Sequence, residues 1–273
     1  MSSHPLSVPT PTLRILPTSA LYPHESHDFQ RATPLIERLK QAEFLTNPPI
    51  VAPIDQERYV VLDGANRYHA LKTLGYPFIL AQVAPYDSGF VELHVWQHVV
   101  SNWSQEAFLD ALTQLPQLQL KHGWDSHAMA RILFRDGVVV SLDTPADDLV
   151  ERNTLLCQIV SLYQANARLD RTALEETSQV WDVYPSASAI VRFPPYAPHD
   201  ILKAAKERAF IPPGISRHII HGRALQLNYP LSQLKNTEET LAEKNFALQD
   251  WIRRKFAQRA VRFYAESTYQ FNE

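Results

Sequence analysis

Between Tyr59 and Leu74 the sequence YVVLDGANRYHALKTL changes its period. Apolar residues run consecutively to Leu62, and from Ala65 they recur at helical spacing through Leu71 and Leu74, with Gly75 placed as the C-terminal cap. A strand that passes into a helix across one glycine fixes the course of two elements at once. It also leaves N–H groups at the start of the helix outside its hydrogen-bond ladder, where the helix dipole favours an anion. Phosphate suits such a turn: Gly64 lets the backbone approach closely, Arg67 adds charged donors about one turn into the helix, and Asn66 and His69 offer further hydrogen bonds. The same letters also spell an ordinary turn, in which Asp63 N-caps the helix and Arg67 and His69 lie on its solvated face.

Around this turn the chain alternates strand-like and helix-like segments. LRIL reads as a short strand, and Leu35, Ile36, Leu39 and Ala42 predict a helix over 29–43. PPIVAPI and YVVL form a hairpin through the polar turn DQER. FILAQVA and VELHVW are further strands, and Ser104 N-caps QEAFLDAL. Beyond residue 110, RILF, GVVVSL, SAIVRF, RALQLN and a final VRFYA read as strands. Helices are expected around Leu155, Leu156, Ile159, Val160, Leu162 and Tyr163, at DILKAAKERA, and along EETLAEKNFALQDWIRRKFAQRA. No internal repeat is present. The first dozen residues, rich in Ser, Pro and Thr, are expected to be mobile. With 7 glycines against 20 prolines, most loops are expected to be stiff.

The pattern is α+β, and 273 residues, 45% of them hydrophobic, suffice for two lobes, drawn at 12–110 and 111–273. A formal charge of -3 without a long block of one sign lacks the electrostatic footprint of a nucleic-acid-binding protein. The single cysteine, Cys157, has no internal disulfide partner and reads as a buried thiol within TLLCQIVSLY. The N-terminus lacks the basic flank and apolar run of a signal peptide and no segment is apolar enough to span a bilayer, so a cytoplasmic protein is expected. The histidine pairs His24/His27, His94/His98 and His218/His221 lack a helical frame with a carboxylate partner, and no zinc site is expected.

DGANRYHAL, preceded by the hairpin and by NPPIV, resembles the GxxR phosphate-binding motif of the ParB/sulfiredoxin-like fold, with Gly64 and Arg67 at its defining positions. Sulfiredoxins carry a cysteine inside the motif where this chain has Ala65 and Asn66. Chromosome-partitioning ParB proteins add a helix-turn-helix domain and tend to be basic, unlike the α+β C-terminal half and negative charge here. The free L-serine kinases, known from archaeal cysteine metabolism and bacterial siderophore-precursor synthesis, are similar over most of the chain. YPHESHDFQR, NPPIV, VLDGANRYHAL, VELHVWQH, PPGISRHIIHGRALQLNYPL and VRFYAEST match their segments in order.

That resemblance implies transfer of a phosphoryl group from ATP or ADP, with Mg2+, to the hydroxyl of free L-serine. It implies Glu25 as the residue that orients and deprotonates the hydroxyl, and Asp63 as a second catalytic carboxylate. Gly64, Ala65, Asn66, Arg67 and His69 would take the nucleotide phosphates. Trp96 and His98 would form a substrate wall, with Ser216, Arg217 and His218 in a loop at the serine, Ser216 standing where the family has threonine. Two other readings stay open on the sequence: a ParB-like nucleotide-binding regulator without phosphotransfer, and a kinase of another small hydroxyl compound.

Overall fold

The computed structural model describes residues 8–27 and 29–264. Five strands build a first, mixed sheet: β1 (Thr12–Pro17), β2 (Leu21–Pro23), β4 (Ile50–Pro53), β5 (Tyr59–Asp63) and β6 (Phe78–Val83), in the order β1-β6-β4-β5-β2. Helix α1 (Phe29–Gln41) and the short β3 (Phe44–Leu45) follow β2, and α2 (Ala65–Thr73) follows β5. The ribbon strand β7 (Val91–Val95) then leads to a second sheet. This sheet holds β8 (Gln97–Ser101), β9 (Gln119–His122), β10 (Ala130–Phe134), β11 (Val139–Asp143), β12 (Arg168–Thr172) and β13 (Ala187–Arg192), in the order β12-β8-β13-β10-β11-β9.

Helices α3 (Gln105–Thr113) and α4 (Leu149–Asn166) cover the second sheet, and α5 (Thr177–Val183) and α6 (Pro198–Glu207) flank β13 in sequence. Strand β14 (Ser216–Ile220) pairs with β7, and β15 (Tyr229–Pro230) pairs with β3. The chain ends in α7 (Leu231–Lys235) and α8 (Leu241–Ala257).

The predicted α+β class holds, and local chemistry explains the main elements. Ser104 caps α3 by accepting the Ala107 N–H at 3.2 Å, and Asp148 caps α4 in the same way. Leu155, Leu156, Ile159, Val160 and Tyr163 of α4 are buried against Ile132, Val140 and Val191 of the second sheet. Leu39 of α1 and Leu71 of α2 share a second core with Ile15, Val61 and Leu80 of the first sheet. Among the described residues no helix is long and apolar enough to cross a membrane.

Several sequence expectations are corrected. RALQLN is not a strand: Arg223–Asn228 run as coil, with Gln226 and Asn228 in the left-handed region at φ 52° and 51°. Val261–Tyr264 form no strand either, and Ala265 lies outside the described residues, as do residues 1–7 of the Ser/Pro/Thr-rich start. Ser216, Arg217 and His218, expected in a loop, are on β14. The sheets do not follow the division at residue 110. The chain enters the second sheet at Gln97, and α8 returns to the first, where Leu248 is buried in the core with Ile15.

Candidate active site

Strands β2 and β5 are parallel neighbours, with Leu21 opposite Tyr59, Tyr22 opposite Val60 and Pro23 opposite Val61. Parallel strands leave a sheet at the same end, so Glu25, two residues past Pro23, emerges beside Asp63, two past Val61. His24 locks that register. Its Nδ1–H donates to the Val61 carbonyl at 2.7 Å, which leaves Nε2 to accept the Ser216 hydroxyl at 2.8 Å. One wholly buried imidazole therefore joins β2, β5 and β14 directly behind Glu25.

At the end of β5, Gly64 occupies the N-cap of α2 at φ 89°, and the helix ladder begins with Tyr68 N–H donating to the Gly64 carbonyl at 2.9 Å. Asp63 does not act as a side-chain cap. Its Oδ2 accepts from Arg67 Nη2 at 3.1 Å and from Arg223 Nη1 at 2.7 Å. Arg67 folds back over the turn: a Cβ added at Gly64 would lie 3.0 Å from Arg67 Nε and 3.2 Å from Pro49 Cα. Glycine is required here both by the backbone angle and by the close approach.

A small cavity of about 210 Å³ opens at this point, lined by Glu25, Ser26, His27, Ala65, His69 and Phe210. The imidazoles of His27 and His69 stack at its wall, with ring centroids 3.6 Å apart. Burial lowers the His69 pKa, and the neighbouring His27 and Lys72 lower it further. A larger apolar groove of about 590 Å³ between β1 and α8, lined by Leu13, Arg14, Ala242 and Gln249, contains none of these acidic groups.

The two carboxylates are driven apart in acidity. Burial pushes Glu25 up to about 7, with the hydrogen bond from Gly214 N–H opposing the shift and the Asp63 charge adding to it. For Asp63, burial also acts upward but is overcome by the guanidiniums of Arg223 and Arg67, which hold the carboxyl below its ordinary range. One acid thus exchanges its proton near neutrality while its neighbour stays ionised, the separation by which a site assigns a base and an electrostatic partner.

The segment around Gly214, which leads into β14 and is held by His98 and Arg171 of the second sheet, lies against Glu25. Its N–H donates to Glu25 Oε2 at 3.1 Å and its carbonyl accepts from His98 Nε2 at 3.1 Å. Arg171 Nη2 donates to the adjacent Pro213 carbonyl at 3.0 Å. Beyond the loop, the Arg217 guanidinium lies 4.7 Å from the Trp96 ring centroid, and Trp96 N–H donates to the Ile215 carbonyl at 2.8 Å.

The structure therefore brings Glu25, Asp63, Gly64, Ala65, Asn66, Arg67 and His69 to one end of the first sheet, with Trp96 and Arg217 beside the Gly214 segment. It turns two expected substrate contacts inward. His98 is wholly buried, its Nδ1 accepting from the Tyr163 hydroxyl at 2.5 Å while Nε2 donates to the Gly214 carbonyl, so both ring nitrogens are engaged within the protein and it orients that loop. The Ser216 hydroxyl is likewise committed to His24. His218 stands edge-on to His24, and its Nε2 accepts from the Tyr86 hydroxyl at 2.7 Å. Arg171, Arg223, Tyr86 and Phe210 were missed. Arg223 lies in a stretch that reads as a strand, and Arg171 carries no local signal at all.

No family model matches the chain. It is 23% identical to the ATP-dependent L-serine kinase SbnI of Staphylococcus aureus, over 94% of this chain and 96% of that protein. A shorter match, 32% identical over 83 residues, is to the ATP-dependent L-serine kinase of Staphylothermus marinus and covers 30% of this chain and 33% of that protein. Among solved structures, SbnI with a C-terminal truncation superposes with a TM-score of 0.72 at 22% identity, covering 89% of this chain and 97% of that one. A glutamate-to-alanine variant of a free serine kinase in complex with ADP superposes at 0.71 with 13% identity, over 85% and 98%. The fold is shared over most of the chain.

Proposed function

We propose that this chain, a member of the free L-serine kinase family, transfers the terminal phosphoryl group of ATP to the hydroxyl of free L-serine, yielding O-phospho-L-serine. The observation that carries this reading is the convergence of Glu25, with its pKa near 7, on the same strand ends as Asp63 and the glycine turn that opens α2. ATP as donor follows the two relatives, both ATP-dependent L-serine kinases.

Phosphoryl transfer asks a protein mainly for positioning and charge. Glu25 accepts the serine hydroxyl proton as the oxygen attacks the terminal phosphorus, and the bond to the leaving nucleotide oxygen breaks on the opposite side. Gly214 N–H fixes the carboxylate for that task. The amides at the start of α2, with Arg67, neutralise the phosphates. Asp63 stays ionised and holds the guanidiniums around the turn. Trp96, with Arg217 stacked on it, supplies an aromatic wall and a cation for the serine carboxylate.

Magnesium enters as part of the nucleotide substrate. The ion would be carried chiefly by phosphate oxygens, and Glu25 or Asp63 would supply a carboxylate oxygen.

Purified protein incubated with Mg2+, L-serine and either ATP or ADP tests the proposal by 31P NMR. Phosphoserine should form with ATP; absence of phosphoserine with both donors would remove it. Threonine, homoserine and ethanolamine in the same assay define the acceptor.

A further inference from the structure

The Asp63 carboxylate receives two arginines on one oxygen. Arg67 belongs to the turn itself, whereas Arg223 arrives from 160 positions further along the chain. It arrives on coil, and the backbone on either side of it is clamped by one buried amide. Gln82 of β6 donates Nε2 to the Gly222 carbonyl at 3.0 Å and accepts the Ala224 N–H at Oε1 at 2.8 Å. A buried amide is tolerated when its polar atoms are paired, and here both pairings flank a single side chain.

That side chain is 32% exposed, and an ion pair so placed contributes little to stability. Its value therefore lies in where the charge is held. Two guanidiniums on the one Asp63 carboxylate leave a positive charge in excess at the mouth of the glycine turn while Glu25 is protonated, and no excess of negative charge there when Glu25 is ionised. Arg67 Nε is in addition buried without a hydrogen-bond partner, so donor capacity there is unused by the protein. The phosphoryl group in flight must pass close to Glu25, and Asp63 is the carboxylate beside Glu25. The two guanidiniums thus sit at the transferring end of the nucleotide and away from its base.

We propose that Arg223 is a second phosphate-binding residue of the nucleotide site, positioned by the Gln82 clamp and oriented by Asp63, and that it engages the terminal phosphates together with Arg67. This rests on the kinase reading of the turn and adds to it a residue outside the GxxR motif. Gln82 is a positioning residue that never touches the nucleotide.

Calorimetric titration of the full chain with ATP, ADP and AMP in Mg2+ buffer tests the assignment. Loss of a charge-assisted hydrogen-bonding group should weaken ATP binding about 10- to 100-fold in Arg223→Gln. AMP binding, KM for serine and Tm should stay near wild type. Arg223→Lys should recover only part of the ATP affinity, since a lysine cannot reproduce a bidentate fork. Gln82→Leu should weaken ATP more than AMP although it lies behind the site. The inference is overturned if Arg223→Gln binds ATP like wild type, or loses ATP and AMP equally. Wild type that binds none of the three nucleotides removes the kinase reading, and this inference with it.

Discussion

Gly214 and Glu25, 189 positions apart in sequence, are joined by a 3.1 Å hydrogen bond from the glycine N–H to the carboxylate. The bond fixes the direction of a carboxyl group that burial has pushed up to about 7, so the group is part-ionised at neutral pH. A general base contributes roughly 10²- to 10⁴-fold to rate, so on the role proposed for it Glu25→Gln should lower kcat within that range while ATP affinity persists. In wild type, kcat/KM for serine should rise with pH through an inflection near 7, and the inflection should vanish in the variant. A variant retaining full turnover, or an unchanged pH profile, would contradict the assignment.

Gly214 is irreplaceable for two reasons that combine. Its φ of 77° lies where side chains are strained, and an added Cβ would fall 2.1 Å from Arg171 Cζ. Gly214→Ala must therefore displace the arginine as well as strain the loop, with loss of Tm and of turnover together. Removing the obstacle should recover part of the stability: in a double-mutant cycle Gly214→Ala with Arg171→Ala should be less destabilising than the sum of the single changes. Strict additivity in denaturant unfolding would show that the clash does not govern this position.

Three histidines around the site are held neutral. Burial is the leading cause in each, lowering His24 to about 4, His98 to about 4 and His218 to about 3, against 6.5 for the ordinary group. As pH falls below 6.5 the unfolded chain takes up protons that the folded chain refuses, so stability is lost progressively toward pH 4. Glu25 has the opposite slope: its proton is held to about 7 when folded and to about 4.5 when unfolded, so its contribution is lost as pH rises through that window. With three groups against one, Tm should be lower at pH 5 than at pH 7.5. Scanning calorimetry at the two values checks this, and an equal or higher Tm at pH 5 would count against buried neutral imidazoles.

The glycine turn was legible because a change of period and a glycine at one position are local signals. The burial of His98 was not. VELHVWQH reads as one continuous segment, but Val95 ends a ribbon paired with β14 and Gln97 begins a strand between β12 and β13. That transfer between sheets turns His98 into the core, and only long-range pairing reveals it. RALQLN failed for a related reason: its apolar alternation suits a strand, yet Ala224 N–H and Gln226 N–H are taken by the side chains of Gln82 and Asn47. The partners of His24, Arg171 and Arg223 are likewise set by tertiary structure, so the carboxylates and the turn could be found in sequence while their supporting shell could not.

That supporting logic extends to the sheet edge remote from the site. Strand β1 borders the first sheet, and an exposed strand edge invites pairing with another chain. Asn245 of α8 prevents this at Ile15: its Oδ1 accepts the Ile15 N–H at 2.9 Å and its Nδ2 donates to the Ile15 carbonyl at 2.9 Å, as a neighbouring strand would. Gln249 repeats the contact at the Leu13 carbonyl at 3.3 Å. Asn245→Ala leaves both groups of a fully buried residue without a partner, a loss of about 1–3 kcal/mol. Denaturant unfolding should show that loss with kcat unchanged, because α8 supplies no group to the cavity beside Glu25. Light scattering of the variant near its Tm should also show earlier association than wild type. If stability is unaltered, the amide of Asn245 is not what closes this edge, and the packing of Leu248 must hold α8 in place by itself.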